Sequence, residues 1–236
     1  MTIDVAGVLT EADAVLRGMH FGLTSGEHSV DYVNVRAILT RPDILARLAE
    51  ALVEPFIGQF DVILGPETGG RTLAQAIGDY LHYVRGESAQ VVWADITGQG
   101  DDKVASFNDK FGFVEKLRGK RVLLVDDLLT TGSTDLAVLR ALKTLSVDCE
   151  VIGLAVVVSR TLELTCEVLG VPELHVLTYF TDMEKWDPKA CLVHGPCSRQ
   201  VPIVTNLGRG KEWLQANPTY PGGGATTSEL AVTTSD

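Results

Sequence analysis

The sequence predicts an α/β fold in which a mainly parallel sheet is flanked by helices. Apolar runs at 62–64, 91–93, 122–125, 151–158 and 174–179 have the composition of buried strands. Segments with apolar residues at helical spacing separate most of these runs. Strands that alternate with helices form parallel sheets, because each helical crossover returns the chain to the same edge.

Composition indicates a globular protein with room for one large α/β domain. The chain has 236 residues, of which 45% are hydrophobic and 22% charged. The net charge of −11 argues against nucleic acid or a membrane surface as a partner, since both attract basic proteins. The N-terminus lacks the pattern of a secretory signal, and the apolar run at 151–158 is too short to span a bilayer. We therefore expect a cytoplasmic protein.

The two ends of the chain differ from its middle. Residues 1–40 are expected to form a leading helix over 1–20 and a small hood, in which a Ser25-Gly26 turn precedes alternating apolar residues. Thr40, Arg41 and Pro42 then open a helix that runs to about residue 57. We expect a single domain over 1–217. Residues 218–236 are rich in Gly, Pro, Ser and Thr, which predicts a disordered tail.

The first strand with a distinctive loop is the run at 62–64. It ends in the sequence GPETGG, and a predicted helix over 71–84 follows. Paired glycines let backbone amides approach an anion closely. Taken alone, the loop is equally compatible with a plain turn between strand and helix.

The chain is organised around the stretch RVLLVDDLLTTGSTD at 121–135. We expect Asp126 and Asp127 to lie where the strand ends, which is where open α/β sheets bind ligands. The small residues at 130–134 precede an amphipathic helix, and the amides at such a helix start bind anions. The two carboxylates could accept hydrogen bonds from the hydroxyls of a ribose 5-phosphate while the loop binds its phosphate. The alternative is that the segment is an ordinary strand, turn and helix without a ligand.

This central stretch resembles the signature for 5-phosphoribosyl 1-pyrophosphate (PRPP) in type I phosphoribosyltransferases. The order of FGLTSG at 21–26, His28-Ser29, Tyr32, PETGG and the central stretch is similar to orotate phosphoribosyltransferase and its relatives, over about residues 20–215. The resemblance implies the type I phosphoribosyltransferase fold and transfer of the 5-phosphoribosyl group from PRPP to a nucleobase. Orotate is the base implied most directly, giving orotidine 5'-phosphate and pyrophosphate in pyrimidine nucleotide biosynthesis.

The resemblance also implies a cofactor, an assembly and a set of site residues. Mg²⁺ would bridge pyrophosphate and ribose oxygens, with water and Asp126 or Asp127 completing the arrangement, and the protein would be a homodimer. The implied catalytic residues are Asp126, Asp127 and Lys103. The implied PRPP-binding residues are Glu67, Thr68, Gly69, Gly70, Arg71, Lys110, Thr130, Thr131, Gly132, Ser133 and Thr134. The implied base-binding residues are Ser25, Gly26 and Arg160, and no residue is assigned as a dedicated metal ligand.

The sequence departs from the orotate pattern in two places. The basic catalytic loop is replaced by 96–113, in which Lys103 is the first candidate for a cation over the pyrophosphate and Lys110 the second. Either could equally be a solvated lysine. Glu27 stands where many orotate enzymes have a basic residue, whereas Arg160 could hold the carboxylate of orotate through paired hydrogen bonds. A purine phosphoribosyltransferase and a non-catalytic PRPP-binding regulator therefore remain alternatives.

A last motif carries sulfur and imidazole groups. Cys191, His194 and Cys197 lie in the sequence CLVHGPC and could join a zinc site with Cys166 or Cys149. The alternative is that these are buried, inert thiols.

Overall fold

The computed structural model describes residues 3–145 and 147–233. The chain divides into two compact units, whereas the sequence predicts one domain followed by a tail. Unit 1 comprises residues 1–12 and 35–181, and unit 2 comprises residues 13–34 and 182–236. Within the described ranges, none of the helices has both the length and the apolar character needed to cross a bilayer.

Most of the predicted elements are present, although their bounds differ. In chain order, the strands are β1 (Val15–Leu16), β2 (Phe21–Gly22), β3 (His28–Ser29), β4 (Tyr32–Val33), β5 (Val62–Pro66), β6 (Gln90–Thr97), β7 (Val104–Ser106), β8 (Arg121–Leu129), β9 (Glu150–Ser159), β10 (Leu174–Tyr179), β11 (Lys185–Trp186), β12 (Ile203–Val204) and β13 (Gly224–Ala225). The α-helices are α1 (Val5–Glu11), α2 (Pro42–Val53), α3 (Gly69–Tyr80), α4 (Phe113–Leu117), α5 (Ser133–Thr144), α6 (Cys166–Leu169), α7 (Pro188–His194), α8 (Gly210–Ala216) and α9 (Thr227–Thr233).

Unit 1 is built on a sheet with the strand order β10-β9-β8-β5-β6-β7. The first five strands in that order are parallel to their neighbours, and β7 runs antiparallel to β6 at one edge. The predicted α/β fold with a mainly parallel sheet flanked by helices is confirmed. The crossover connections bring the carboxyl ends of β5, β8 and β9 to one edge of the sheet.

The core of unit 1 lies on both faces of this sheet. Side chains alternate between the faces along each strand. Val62, Leu64, Val122 and Leu124 share one face, where they pack in a buried cluster with residues of α4, α5 and α6. Helices α2 and α3 contact each other, and α3 contacts β5 and β8. Burial on both faces explains why these strands are continuous apolar runs.

Two predicted helices are shorter than expected. The leading helix ends at Glu11, because Asp13 and Gly18 adopt positive φ angles of 50° and 76° that a helix cannot contain. The sequence also predicts a helix around 162–169, between the apolar runs at 151–158 and 174–179. Only α6 forms there, and it begins at Cys166 after Thr165 caps it by accepting a hydrogen bond from the Val168 amide.

Unit 2 contains three small sheets. Strands β11, β3 and β2 form an antiparallel sheet in that order, β1 pairs with β4, and β12 pairs with β13. The turn between β2 and β3 contains Gly26 at a φ of 89°, as expected for the Ser25-Gly26 turn. Phe21, Leu23 and Val204 form the buried centre of a small hydrophobic cluster in this unit.

The C-terminal segment differs from the disorder that its composition predicts. Residues 224–233 contain β13 and α9, and residues 234–236 lie outside the described part of the chain. The Thr205 amide donates to the Ala225 carbonyl at 2.9 Å, and the Thr227 amide donates to Oδ1 of Asn206 at 3.0 Å. Backbone pairing with β12 thus supplies order that the composition does not indicate.

Candidate active site

The predicted site residues of unit 1 follow or belong to adjacent strands. The segment 67–71 follows β5, the segment 130–134 follows β8, and Arg160 follows β9. Because these strands are parallel neighbours, their carboxyl ends meet at one edge, which is the usual ligand position in open α/β sheets. The Arg160 amide donates to the Leu129 carbonyl at 2.9 Å, which fixes the end of β9 beside the end of β8.

The two acids of the central stretch lie inside a strand rather than after it. The expectation that these acids lie where the strand ends is wrong, because β8 continues two residues beyond Asp127 to Leu129, and Asp126 pairs in register with Val156 of β9. The Asp127 amide also donates to Oδ1 of Asp126 at 2.8 Å, which fixes that carboxylate.

The acids are held in an environment that disfavours uncompensated negative charge. Burial, followed by the neighbouring charges of Asp135 and Asp127, raises the pKa of Asp126. Burial also raises the pKa of Asp127, although the hydrogen bond with Asp126 and the positive charge of Arg36 oppose the shift. For Asp135, which is 1% exposed, burial raises the pKa to about 7. Hydroxyl donors or a cation would be bound favourably here.

The glycines after β5 are required by close packing. A Cβ at Gly69 would overlap the carboxylate of Asp127, and one at Gly70 would lie 2.6 Å from the Val125 carbonyl oxygen. Glycines at these positions are expected from the sequence because they let backbone amides approach an anion. The structure adds that only glycine lets this loop lie against β8.

Arg71 is oriented by two partners. Its Nη1 donates to Oε1 of Glu67 at 2.9 Å, and its Cζ lies 4.1 Å from the centre of the Trp93 ring. The Trp93 ring in turn contacts the rings of Phe111 and Phe113. The guanidinium is thus stacked on an aromatic surface beside the loop, an arrangement that suits arginine better than lysine.

The segment after β8 has the geometry of an anion site. Gly132 adopts a φ of 71° and precedes α5, which begins at Ser133. The Ser133 amide donates to Oγ1 of Thr131 at 3.4 Å, and the hydroxyls of Thr131 and Ser133 are 3.2 Å apart. Free amides at the start of a helix this long attract anions, and hydroxyls beside them add donors.

The structure distinguishes the two candidate lysines. Residues 95–106 form a β6–β7 hairpin, and Lys103 lies directly before β7. Its Nζ donates to Oγ1 of Thr134 at 2.6 Å, which brings its charge to the start of α5. Lys110 lies instead on a 3₁₀ helix, Asp109–Phe111, where it is exposed.

The remaining base-site candidates, Ser25 and Gly26, lie in unit 2. Oγ of Ser25 donates to Oε2 of Glu27 at 2.8 Å, so the acid that departs from the orotate pattern is engaged within its own turn. Gly26 lines a cleft of about 210 Å³. The other lining residues are Gly22, Leu23, His28, Arg209, Glu212 and Trp213.

Sequence reasoning missed two residues near the acids. Asp135 belongs to the central stretch, and its place in the first turn of α5 was a usable signal. Arg36 lies on the 3₁₀ helix Val35–Thr40, where its charge favours the ionised form of Asp127. Nothing in the sequence around Arg36 indicates this proximity, because it depends on tertiary folding.

Comparisons with known proteins agree with this geometry. A model of the phosphoribosyl transferase domain matches residues 34–165. Orotate phosphoribosyltransferase 2 of Mesorhizobium japonicum is 30% identical over 182 residues, which cover 75% of this chain and 85% of the relative. The orotate phosphoribosyltransferase of Thermococcus gammatolerans is 34% identical over 156 residues, which cover 64% of this chain and 75% of the relative.

Solved structures share the fold. The orotate phosphoribosyltransferase of Aeropyrum pernix superposes with a TM-score of 0.55 at 23% identity, covering 80% of this chain and 96% of that one. That of Mycobacterium tuberculosis gives a TM-score of 0.55 at 23% identity, covering 76% and 98%. The type I phosphoribosyltransferase fold expected from the sequence is therefore confirmed. Together with the loops gathered on β5 and β8, these matches show that the chain belongs to the phosphoribosyltransferase family, among the orotate phosphoribosyltransferases and their relatives.

Proposed function

We propose that the chain transfers the 5-phosphoribosyl group from PRPP to orotate, giving orotidine 5'-phosphate and pyrophosphate, a step of pyrimidine nucleotide synthesis. The main support is the contact of Gly69 with Asp127, because it joins the glycine loop after β5 to the acids of β8 in one site. The names of the relatives supply the choice of base.

In this proposal the segments around the acids divide PRPP between them. The amides and hydroxyls of 130–134 bind the 5-phosphate. Asp126 and Asp127 accept hydrogen bonds from the ribose hydroxyls. The loop at 67–71 lies against the pyrophosphate, with Arg71 as its positive partner. Lys103 adds a second positive charge beside Thr134.

The chemistry is a displacement at the anomeric carbon. The bond from that carbon to the pyrophosphate oxygen breaks, and its electron pair leaves with pyrophosphate. A ring nitrogen of the base forms the new bond and gives up its proton to solvent. Negative charge grows on the leaving group while positive charge grows on the ribose. Arg71 and Lys103 would stabilise the negative charge on pyrophosphate, and the two acids would stabilise the positive charge on the ribose. Catalysis would therefore rest on positioning and electrostatics.

Mg²⁺ fits the donors in this site. The carboxylate oxygens of Asp126 and Asp127 are hard ligands of the kind Mg²⁺ prefers, and a bound cation would offset the cost of burying their charges. Asp126 or Asp127 would hold the ion together with oxygens of PRPP and water. When bound, the ion supplies positive charge that offsets the pyrophosphate charge.

The base contacts are part of the same proposal. Arg160 would bind the carboxylate of orotate through paired hydrogen bonds, since a guanidinium matches that geometry. Ser25 and Gly26 would contribute hydrogen-bonding groups from their turn.

A base panel tests the proposed function. Purified full-length protein is incubated with PRPP, Mg²⁺ and one of orotate, uracil, adenine, hypoxanthine or xanthine, and pyrophosphate release is measured. We expect release with orotate. Release with a purine instead would reassign the chain as a purine phosphoribosyltransferase, and PRPP binding without release would make it a non-catalytic binder. An Asp126→Asn/Asp127→Asn variant, purified in parallel, controls for contaminating host enzyme.

We further propose that the protein is a cytoplasmic homodimer. A cleft of about 300 Å³ between α2 and α3 is lined largely by apolar atoms, including those of Leu45, Ala76 and Val84. Val84 and the nearby Tyr83 are 69% and 80% exposed, so with the apolar cleft they form an exposed patch of the kind that a protein interface covers. Light scattering coupled to size exclusion tests this: a mass near twice 25.4 kDa supports the dimer, and a mass near 25.4 kDa contradicts it.

A further inference from the structure

A buried cluster of two histidines and two cysteines lies in unit 2, which contains none of the residues assigned to PRPP. His20, His28 and Cys191 are fully buried, and Cys197 is 3% exposed. One potential ligand atom from each of the four residues lies within 4.8 Å of the other three. We call these four residues the His/Cys cluster.

Two ring nitrogens and one sulfur of the cluster face one another closely. Nε2 of His20 lies 2.9 Å from Nδ1 of His28. Sγ of Cys197 lies 3.6 Å from the first of these nitrogens and 3.2 Å from the second. A tetrahedral zinc ion with ordinary bond lengths separates two nitrogen ligands by about 3.4 Å and a nitrogen from a sulfur by about 3.6 Å. These three atoms therefore need shifts of only about half an ångström to meet those separations, and Sγ of Cys191, which lies within 4.8 Å of them, needs at most about one ångström.

The surroundings of His20 fix which of its nitrogens can bind a metal. Nδ1 of His20 lies 2.9 Å from the carbonyl oxygen of Val201, which only accepts hydrogen bonds. The proton of the neutral ring therefore resides on Nδ1, and the lone pair on Nε2 points into the cluster. Metal-binding histidines commonly show this second hydrogen bond to a backbone carbonyl. Tyr220 donates to the same carbonyl at 2.6 Å and so holds it in place.

The cysteines of the cluster also have surroundings that suit a metal ligand. The backbone amide of Cys197 donates to Sγ of Cys191 at 3.3 Å, a contact that stabilises negative charge on that sulfur. Both cysteines are free rather than joined in a disulfide. The ring of Trp213 packs edge-on against His28 at 4.7 Å and against Tyr220 at 5.1 Å, so aromatic groups shield the cluster from water.

We infer that His20, His28, Cys191 and Cys197 bind one Zn²⁺ ion as a structural site. Two imidazoles and two thiolates are the donor set that favours zinc in tetrahedral geometry, and the two thiolate charges balance the charge of the ion. All four positions are filled by protein ligands, which is typical of a structural site rather than a catalytic one.

The ion would join two distant parts of the chain within unit 2. His20 directly precedes β2 and His28 is the first residue of β3, whereas the two cysteines belong to α7 and to the 3₁₀ helix Pro196–Arg199. Strand β11 already pairs with β3 in this region. A zinc ion here would fasten the hairpin that carries the Ser25-Gly26 turn to the C-terminal segment, and its binding free energy would stabilise the unit.

The structure corrects the zinc ligands considered from the sequence. His194 ends α7 and is exposed, and Cys149 and Cys166 belong to unit 1. The imidazoles come instead from His20 and His28, at a spacing that matches no zinc motif. Only the fold brings them to the cysteines.

Metal analysis of the full-length protein tests the inference. The protein is expressed in zinc-supplemented medium, purified without chelator, and analysed by mass spectrometry for metals. We expect about one zinc per chain, as a closed four-ligand site requires. X-ray absorption at the zinc edge of the unmodified protein should show two nitrogen and two sulfur neighbours, a readout that needs no variant. Cobalt substitution should give thiolate-to-metal charge-transfer bands.

Variants separate the cluster from other possible ligands. His28→Ala and Cys197→Ser should lose the zinc, whereas His194→Ala and Cys166→Ser should retain it. A zinc content near zero in folded unmodified protein, or a Cys191–Cys197 disulfide found by mass spectrometry without reduction, would overturn the inference. An X-ray absorption spectrum that shows only oxygen and nitrogen neighbours of the zinc would also overturn the inference. None of these readouts depends on phosphoribosyl transfer.

Discussion

The main chain of Gly69 lies directly against the carboxylate of Asp127. Gly69 is the first residue of α3, and Asp127 belongs to β8, so this contact couples two segments that the sequence separates by more than fifty residues. The position of the glycine loop therefore depends on the Asp127 side chain, and the orientation of that side chain depends on the loop.

The first prediction follows from this contact. Gly69→Ala should weaken PRPP binding at least about tenfold, or ~1.4 kcal/mol, because the new methyl group displaces the Asp127 carboxylate. Calorimetric titration with PRPP measures the change. Gly78→Ala on the same helix is the matched control, since its Cβ would meet a side-chain methyl of Val91 rather than an acid. Equal PRPP affinity in the Gly69→Ala and unmodified proteins would show that the contact does not matter for binding.

The second prediction ranks the two lysines. Lys103→Ala should lower kcat/KM about tenfold or more, because it removes the charge that reaches the start of α5 at Thr134. The kcat/KM of Lys110→Ala should stay within about twofold of the unmodified protein, since Lys110 is exposed on a separate 3₁₀ helix. Steady-state kinetics with varied PRPP distinguishes the two variants. The opposite ranking would transfer the role to Lys110.

The third prediction concerns stability and pH. Burial raises the pKa of Asp135 from its ordinary value of 3.8 to about 7. Between these values the unfolded chain has lost the proton that the folded chain keeps, so the free energy of unfolding decreases as pH rises, and the decrease from this group ends above about pH 7. Asp135→Asn should remove the contribution of this group to the pH dependence of the free energy of unfolding. That contribution is at most about 1.4 kcal/mol per pH unit.

Urea denaturation between about pH 5 and about pH 7 measures that slope. Asp101→Asn removes a carboxylate at an exposed position and controls for the change in net charge. Asp126 contributes in the same direction, so part of the slope should remain in the Asp135→Asn protein. Identical slopes for the Asp135→Asn and unmodified proteins would contradict the assignment.

The fourth prediction tests the stacking of Arg71 on Trp93. Trp93→Leu should raise the KM for PRPP about two- to fivefold, corresponding to ~0.5–1 kcal/mol for the lost cation–π contact. Arg71→Ala should have a larger effect. The double variant should be no worse than Arg71→Ala alone, because the tryptophan acts through the arginine. Additive losses would mean that Trp93 contributes independently.

The sequence predicted the parts of the molecule that depend on local pattern. The apolar runs identified the parallel strands, and the glycine loop and the small residues at 130–134 were located correctly at the ends of β5 and β8. Apolarity alone does not mark the end of a strand. Asp126 continues β8 because its backbone pairs with β9, a contact that apolar patterning does not reveal.

Features that depend on tertiary proximity could not be predicted. Arg36 reaches Asp127 only after its 3₁₀ helix packs near β8, and His20 and His28 meet Cys197 across more than 160 positions of sequence. The roles of the site residues remain predictions that the variants above can test.

The pairing of β3 with β11 has a consequence for biosynthesis. Ser29 of β3 pairs with Lys185, and its hydroxyl donates to the Glu184 carbonyl at 2.7 Å, so β3 gains this second neighbour only after residues 184 and 185 have been synthesised. Unit 1 has its complete sheet as soon as β10 has left the ribosome. The hairpin with the Ser25-Gly26 turn is made earlier than most of unit 1, but it gains its third strand, β11, only after the sheet of unit 1 can be complete.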